Sequence, residues 1–463
     1  MGGQDLPLTV PMGPRTAEGG VTALSGITSP IAGILTDENR SEPAVEYCLA
    51  RIAQRDETIK PWAHLDPDLA LEQARARDAE PRRSSLHGIP FGLKDIIETG
   101  DQPTGYGSEL WTGHRPERDA EVVRRLRRDG AVILGKTTTT EFATYRPTET
   151  RNPHHLGHTP GGSSSGSAAA VADGQVPLAL GTQTAGSVLR PGSFCGVFTL
   201  KPTYGRWPFD GVLPVALTFD TVGAFARHPA WLGAVDESLA TDGSHTPPVT
   251  VLTPLRELRV GVLRPPWADR ATPSAAALLE EFVSGLGDVV ARVVDVEVPS
   301  DLAALDDAHT LLMAAEASAA LAGRIRRPHA ARISDQLHQF LQGGLHAPAS
   351  EIQHARTILR RTRTFVERAF DEVDLLVTLA APGEAPTIDA GTGDPVFNKL
   401  ASVSGCPAVG LPAGRGLYGL PLGIQLVAPA HADQALVRVA TYLTDRVGLA
   451  WRPGVSEEET NGD

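Results

Sequence analysis

The chain has 463 residues, 41% hydrophobic and 21% charged, with a formal net charge of −13. That length can bury a large core, and the negative charge argues against sequence-independent nucleic-acid binding. Three widely spaced cysteines, Cys48, Cys195 and Cys406, argue against a disulfide framework and fit a reducing, cytoplasmic compartment.

Residues 1–21 lack a basic n-region and an apolar h-region, so they read as a mobile tail and not a signal peptide. No apolar run approaches the ~18 residues of a membrane span, so no membrane association is expected. From 22 to 56 the pattern is helical, with Ser41 as a cap ahead of Val45, Cys48, Leu49 and Ile52 at helical spacing. A second helix follows over 67–79. HGIPFGLKDIIETG, residues 87–100, is apolar and extended, and places Lys94 among Phe91, Leu93, Ile96 and Ile97. Two readings of that lysine stay open. It snorkels beside a neutralising Asp95, or it is buried with a lowered pKa and can act as a base.

Residues 119–129 form an amphipathic helix, whose RRLRR run (Arg124, Arg125, Arg127, Arg128) reads as a solvated face. Gly130-x4-Gly135-Lys136-Thr137 then matches the phosphate-loop expression. Its four intervening residues are themselves a strand, and no helix opens at Thr137, so a nucleotide site is not expected. His154, His155 and His158 lie between Pro153 and Gly157, which oppose a helix aligning them, and no third ligand follows. Neither a metal nor a cofactor is expected.

Residues 160–196 read PGGSSSGSAAAVADGQVPLALGTQTAGSVLRPGSFCG. Gly/Ser runs are usually linkers, but this one leads into a small-residue helix, a short strand at 176–180, and a second small-residue block, GTQTAGS. Two tight turns flanking one helix and one strand make a site, because small residues let backbone N–H groups face a ligand closely. Gly162-x-Ser164-x-Gly166 also matches a nucleophile elbow, but the preceding HHLGHTPG is no strand and the later histidines lack supporting context.

Further strands are expected at 196–201, 221–226, 258–263 and 292–298, the last two around a helix at 273–286 as a βαβ unit. Residues 301–372 are nearly all helical. A strand at 374–382, a short helix FNKLASVSG, strands at 406–414 and 420–429, and a helix at 431–447 precede a polar tail at 451–463. The expected fold is one large α/β/α domain over 22–450, a mixed sheet flanked by helices. Its core would be 85–225 and 374–447, with 301–372 as a variable helical pocket region.

GIPFGLKD, GAVILGKT, TPGGSSSGSAAAVA, LALGTQTAGSVLRP and GLPLGIQLVAP occur here in a set order and spacing. On these pieces the chain resembles the amidase signature hydrolases, over residues 40–225 and 374–447. GTQTAGSVLRP and DPVFNKL look most like the malonamidase branch, beside its urethanase-like members. The resemblance implies a Ser–Ser–Lys triad. Ser187 would be the nucleophile, Ser163 the bridge following a cis Gly162–Ser163 bond, and Lys94 the base, made neutral by desolvation. The oxyanion would meet the amides of Thr184, Ala185, Gly186 and Ser187. Ala185 replaces a glycine common in relatives, and would be strained if its φ were positive. Arg190 would meet a substrate carboxylate or pair with an internal one, and Arg206 would stand at the pocket rim. Ser164, Ser165 and Ser167 read as turn and cap residues.

The leading functional expectation is a serine hydrolase cleaving C–N bonds of small amides or carbamates (urethanes) through an acyl-enzyme. Its partner would be a small molecule, with no nucleic acid and with room for a homodimer. The alternative is the A subunit of a tRNA-dependent amidotransferase, which shares the triad and works in a complex on charged tRNA. A non-catalytic binding protein is disfavoured by the joint presence of Lys94, Ser163 and Ser187.

Overall fold

The computed structural model describes residues 40–241, 255–325 and 332–448. The expected tails at 1–21 and 451–463, and the helical reading of 22–39, lie outside the described residues. In chain order the first half comprises α1 (Ser41–Ile59), β1 (Trp62–Leu65), α2 (Pro67–Asp78), β2 (Pro90–Lys94), α3 (Glu121–Arg128), β3 (Val132–Thr137), α4 (Ser165–Ala172), β4 (Leu178–Gln183), α5 (Leu189–Cys195), β5 (Phe198–Lys201) and β6 (Thr221–Ala226). The second half comprises α6 (Pro229–Leu239), β7 (Arg259–Leu263), α7 (Pro273–Gly287), β8 (Arg292–Val296), α8 (Leu305–Leu321), α9 (Asp335–Leu345), α10 (Ala349–Glu372), β9 (Leu375–Leu379), α11 (Lys399–Ser404), β10 (Ala408–Arg415), β11 (Pro421–Val427) and α12 (Asp433–Tyr442).

The strands form one sheet in the order β1-β3-β2-β4-β6-β5-β10-β11-β9-β7-β8. β2 is parallel to β3 and β4, and β7 is parallel to β8 and β9, while the other neighbours are antiparallel. This is a single mixed α/β domain with a large central sheet flanked by helices. Every residue of β2, β3, β4, β5, β6, β9 and β11 is buried. Helices cover both faces of these strands, so they carry continuous apolar runs and not an alternating pattern. The outermost strands β1 and β8 are only partly buried.

Of the strand ends that differ from expectation, two matter for the site. The extended reading of 87–100 ends at Lys94, because the amides of Ile96 and Ile97 both turn back to the Lys94 carbonyl, at 2.7 and 2.9 Å. The strand expected at 176–180 runs to Gln183, because Gly181, Thr182 and Gln183 pair with Gly223, Val222 and Thr221 of β6. The expected cap of α1 also differs. Ser41 is the first helical residue, and the carboxylate of Asp78 from α2 accepts from the Ser41 and Glu42 amides at 2.5 and 3.0 Å.

The helical stretch 301–372 is broken into α8, α9 and α10, with α9 and α10 each packed on α8. Gly344 allows the α8–α9 approach, since a Cβ there would lie 2.1 Å from the Ala314 carbonyl oxygen. α4 lies wholly in the core, packed on β2, β3, β4 and β6. Its small side chains permit this: a Cβ on Gly166 would fall 2.2 Å from the Pro61 carbonyl oxygen and 2.3 Å from the Thr138 nitrogen.

Candidate active site

Lys94 is the last residue of β2 and has no solvent exposure. Its ammonium nitrogen donates to Ser163 Oγ at 2.7 Å and to Thr182 Oγ1 at 2.8 Å. Neither partner is charged, and burial drives the amine well below the ordinary lysine range, with Asp220 pulling the other way. Asp95 is not its counter-ion. Successive strand residues face opposite ways, and Asp95 points instead to Lys136, 3.4 Å away and also fully buried. The snorkelling reading of Lys94 therefore fails. Lys136, on β3, also donates to Thr104 Oγ1 at 2.6 Å, so the phosphate-loop expression marks a strand with a structural ion pair.

Ser163 follows Gly162 across a cis peptide bond, as the resemblance implies. The neighbouring serines fill backbone positions. Ser164 Oγ donates to the Thr182 carbonyl at 3.2 Å and Ser165 Oγ to the Gly161 carbonyl at 2.7 Å. Ser167 Oγ donates to the Leu180 carbonyl at 2.9 Å. His154 and His158 bond the carbonyls of Cys195 and Ala385, at 3.0 and 2.6 Å, and do not share a ligand.

Residues 184–187 form the turn between β4 and α5, where Ser187 is partly exposed within an otherwise buried segment. Gln183 closes this turn: its Oε1 accepts from the Val188 and Leu189 amides at 3.0 Å each. Ser402 Oγ donates to the Ala185 carbonyl at 2.7 Å and accepts from Gln183 Nε2 at 3.0 Å. The amides of Thr184, Ala185, Gly186 and Ser187 bond to no described residue. Free amides at and before a serine suit a developing oxyanion. Gly186 is required by its neighbour, since a Cβ there would lie 2.4 Å from Asn398 Oδ1. Ala185 does not have a positive φ, so the strain considered for it is absent.

The turn is held on its other side by a carboxylate that sequence reasoning missed. Thr184 Oγ1 donates to Asp220 Oδ1 at 2.6 Å, and Asp220 Oδ2 accepts from the Val215 and Ala216 amides at 2.8 Å each. Burial raises the Asp220 carboxyl to about 6, partly offset by these bonds. The Thr184 carbonyl accepts from His309 Nε2 of α8 at 3.1 Å. Burial lowers His309 to about 3, so the ring is neutral and carries its proton on Nε2. Thr182, Asp220 and His309 share no short motif, and only the alternation of Thr182 and Thr184 hinted that both hydroxyls face one way.

Arg190 and Arg206 are placed elsewhere than expected. Arg190 is buried and donates to the carbonyls of Gly393 and Gly162, at 2.5 and 2.6 Å, and to Thr392 Oγ1 at 3.4 Å. It therefore clamps two backbone segments, and burial lowers it to about 10. Arg206 is bidentate to Asp236 at 2.7 Å for both bonds, a carboxylate also bonded by Trp207 and Gln434. A cavity of about 610 Å³ lies beyond the Arg190 clamp, lined among others by Tyr145, Phe194, Arg270, Thr392 and Asp394. Among the described residues, no helix is long and apolar enough to cross a membrane.

The family model described as Amidase matches residues 43–437. The chain belongs to this amidase family. It is therefore an amidase-family enzyme of the hydrolase or amidotransferase type, acting on C–N bonds. It is 34% identical over 471 residues to the A subunit of glutamyl-tRNA(Gln) amidotransferase from Chloroflexus aggregans, covering 90% of this chain and 95% of that one. Its fold matches native peptide amidase of Stenotrophomonas maltophilia with a TM-score of 0.79 and 30% identity, over 93% and 99% of the two chains. It matches the A subunit of the Thermotoga maritima glutamyl-tRNA(Gln) amidotransferase with a TM-score of 0.77 and 25% identity, over 93% and 98%.

These relatives correct the leading functional expectation. Curated relatives at about one-third identity over most of the chain are amidotransferase A subunits, so the free-standing hydrolase of small amides or carbamates is overturned. The malonamidase and urethanase branch gains no support either. The expectation of a small-molecule partner without nucleic acid falls for the same reason. The physical grounds are clear. A lysine-activated serine cleaves a C–N bond alike whether the nitrogen is lost or handed on. Nor does the net charge of one polypeptide say what its partner binds.

Proposed function

We propose that the chain is the A subunit of a tRNA-dependent amidotransferase, with Ser187, Ser163 and Lys94 releasing ammonia from an amide donor for use on a glutamyl-tRNA. The observation that carries this reading is the buried, uncharged-partner environment of Lys94, 2.7 Å from Ser163 Oγ, in a chain 34% identical to such a subunit over 90% of its length.

Ser187 Oγ attacks the donor's amide carbonyl. Its proton passes to Ser163, which gives its own to the neutral Lys94 amine. The oxyanion is met by the amides of Ala185, Gly186 and Ser187, which need no reorganisation because the Gln183, Ser402 and Asp220 bonds already hold the turn. The proton then returns from Lys94 through Ser163 to the leaving nitrogen, and ammonia departs. Water attacks the acyl-enzyme by the same relay, regenerating Ser187 and releasing the acid. Arg190 contributes by holding the Gly162 carbonyl, one residue before Ser163.

Reconstitution tests this. The chain, assembled with the remaining subunits from the same genome, should convert glutamyl-tRNA to its amide with glutamine as donor. Ser187→Ala should abolish the glutamine-driven reaction and leave the reaction driven by free ammonia. Loss of both, or no association with those subunits, would refute the proposal.

A further inference from the structure

Lys94 and Asp220 are two buried ionisable groups beside the turn at 184–187, and no ion pair joins them among the described residues. Two hydroxyls of one strand end stand between them instead. Lys94 donates to Thr182 Oγ1 at 2.8 Å, and Asp220 accepts from Thr184 Oγ1 at 2.6 Å. Thr182 and Thr184 are two residues apart, so both hydroxyls face the same side of β4 and its extension. The β4–β6 register runs Thr182↔Val222 and Gln183↔Thr221, which sets Asp220 opposite Thr184.

We propose that Asp220 is a positioning residue of this centre. Through Thr184 it fixes the turn presenting the Ala185–Ser187 amides, and its charge acts on the Lys94 amine across the hydroxyl pair. The inference rests on the assignment of Ser187 and Lys94 above. A carboxylate in direct contact would lock the lysine as a cation, and none at all would leave it with little affinity for the proton it must accept. A carboxylate set back behind two hydroxyls sits between these extremes. Glu316 of α8 raises the Asp220 carboxyl further, and the neutral His309 of the same helix bonds the Thr184 carbonyl. Among the described residues, Asp220 is the charged group that pulls the Lys94 amine upward, against the effect of burial.

The test reads Ser187 directly, with no need of donor or partner. The full-length chain is treated with phenylmethylsulfonyl fluoride, and the modification rate is followed by mass spectrometry from pH 5 to 10. Removing a negative charge lowers a lysine pKa, so in Asp220→Asn the rise in rate should move to lower pH by about half a unit or more. Its plateau should fall about tenfold as the turn loosens. Thr184→Val keeps the charge and removes the bond, so its plateau should fall with the pH of the rise unchanged. A rise in Asp220→Asn that stays in place or moves to higher pH would overturn the proposal. Should Asp220→Asn not fold, an undiminished plateau in Thr184→Val would overturn it. Wild-type labelling that persists in Ser187→Ala would instead refute the Ser187 assignment beneath it.

Discussion

Arg190 donates to the carbonyl of Gly162 at 2.6 Å, and so ties the helix that follows Ser187 to the residue that precedes Ser163. A second bond from the same guanidinium reaches the Gly393 carbonyl at 2.5 Å. The arginine is thus a clamp between three segments. Arg190→Ala should leave the buried Gly162 carbonyl without this donor, at about 1–3 kcal/mol, and the partly buried Gly393 carbonyl at less. Arg190→Lys cannot span both and should recover only part of the loss. Thermal unfolding of both variants checks this, and an unchanged Tm in Arg190→Ala would contradict it.

Lys94→Met should abolish donor cleavage, by on the order of 10³-fold or more, because no other base among the described residues bonds the Ser163 hydroxyl. The same variant should be more stable than wild type at neutral pH. The sign follows from the lowered folded-state pKa. Between that value and the unfolded lysine's ordinary value, the unfolded chain holds a proton that the folded chain does not. In that window wild-type stability rises with pH, and the advantage of Lys94→Met should shrink as pH approaches the ordinary lysine range. Urea unfolding at several pH values checks this, and an advantage that grows with pH would contradict it.

Thr182→Val preserves shape and deletes one of the two acceptors of Lys94. One hydrogen bond of about 1 kcal/mol corresponds to a loss of roughly fivefold in the donor-cleavage rate, with folding little changed. Steady-state ammonia release by the assembled complex measures this. A rate equal to wild type would show that Ser163 alone orients the amine.

Lys136→Met should cost about 3–5 kcal/mol, since it strands the buried Asp95 carboxylate. The double change Asp95→Asn with Lys136→Met should recover much of that loss. Denaturant unfolding of the two singles and the double gives the coupling, and strict additivity would contradict the pairing.

Much of the site was legible because it is local. Lys94, Ser163 and Ser187 lie in short stretches whose glycines and small side chains have no other use, such as Gly166 pressed against Pro61 and Gly186 against Asn398. The fold class followed from continuous apolar strands alternating with helices. What escaped the sequence depends on contacts between distant segments. Asp220 reaches Thr184 only because β6 pairs antiparallel with β4, and His309 reaches the Thr184 carbonyl from α8, in the stretch with least pattern. The partners of Arg190 are backbone carbonyls, which no residue type announces. The short helix α5 carries Pro191 and Gly192, poor helix formers that hide it. The functional expectation was too fine for a different reason: these residue types suit cleavage of a C–N bond, and none of them marks the fate of the nitrogen.

The most direct measurement follows that nitrogen. Glutamine labelled with ¹⁵N in its side-chain amide is given to the assembled complex with glutamyl-tRNA. The label should appear in the newly formed amide on the tRNA, and should vanish from it in Ser187→Ala. Glutamine turnover with all the label released as free ammonia, or labelled product persisting in Ser187→Ala, would contradict the account.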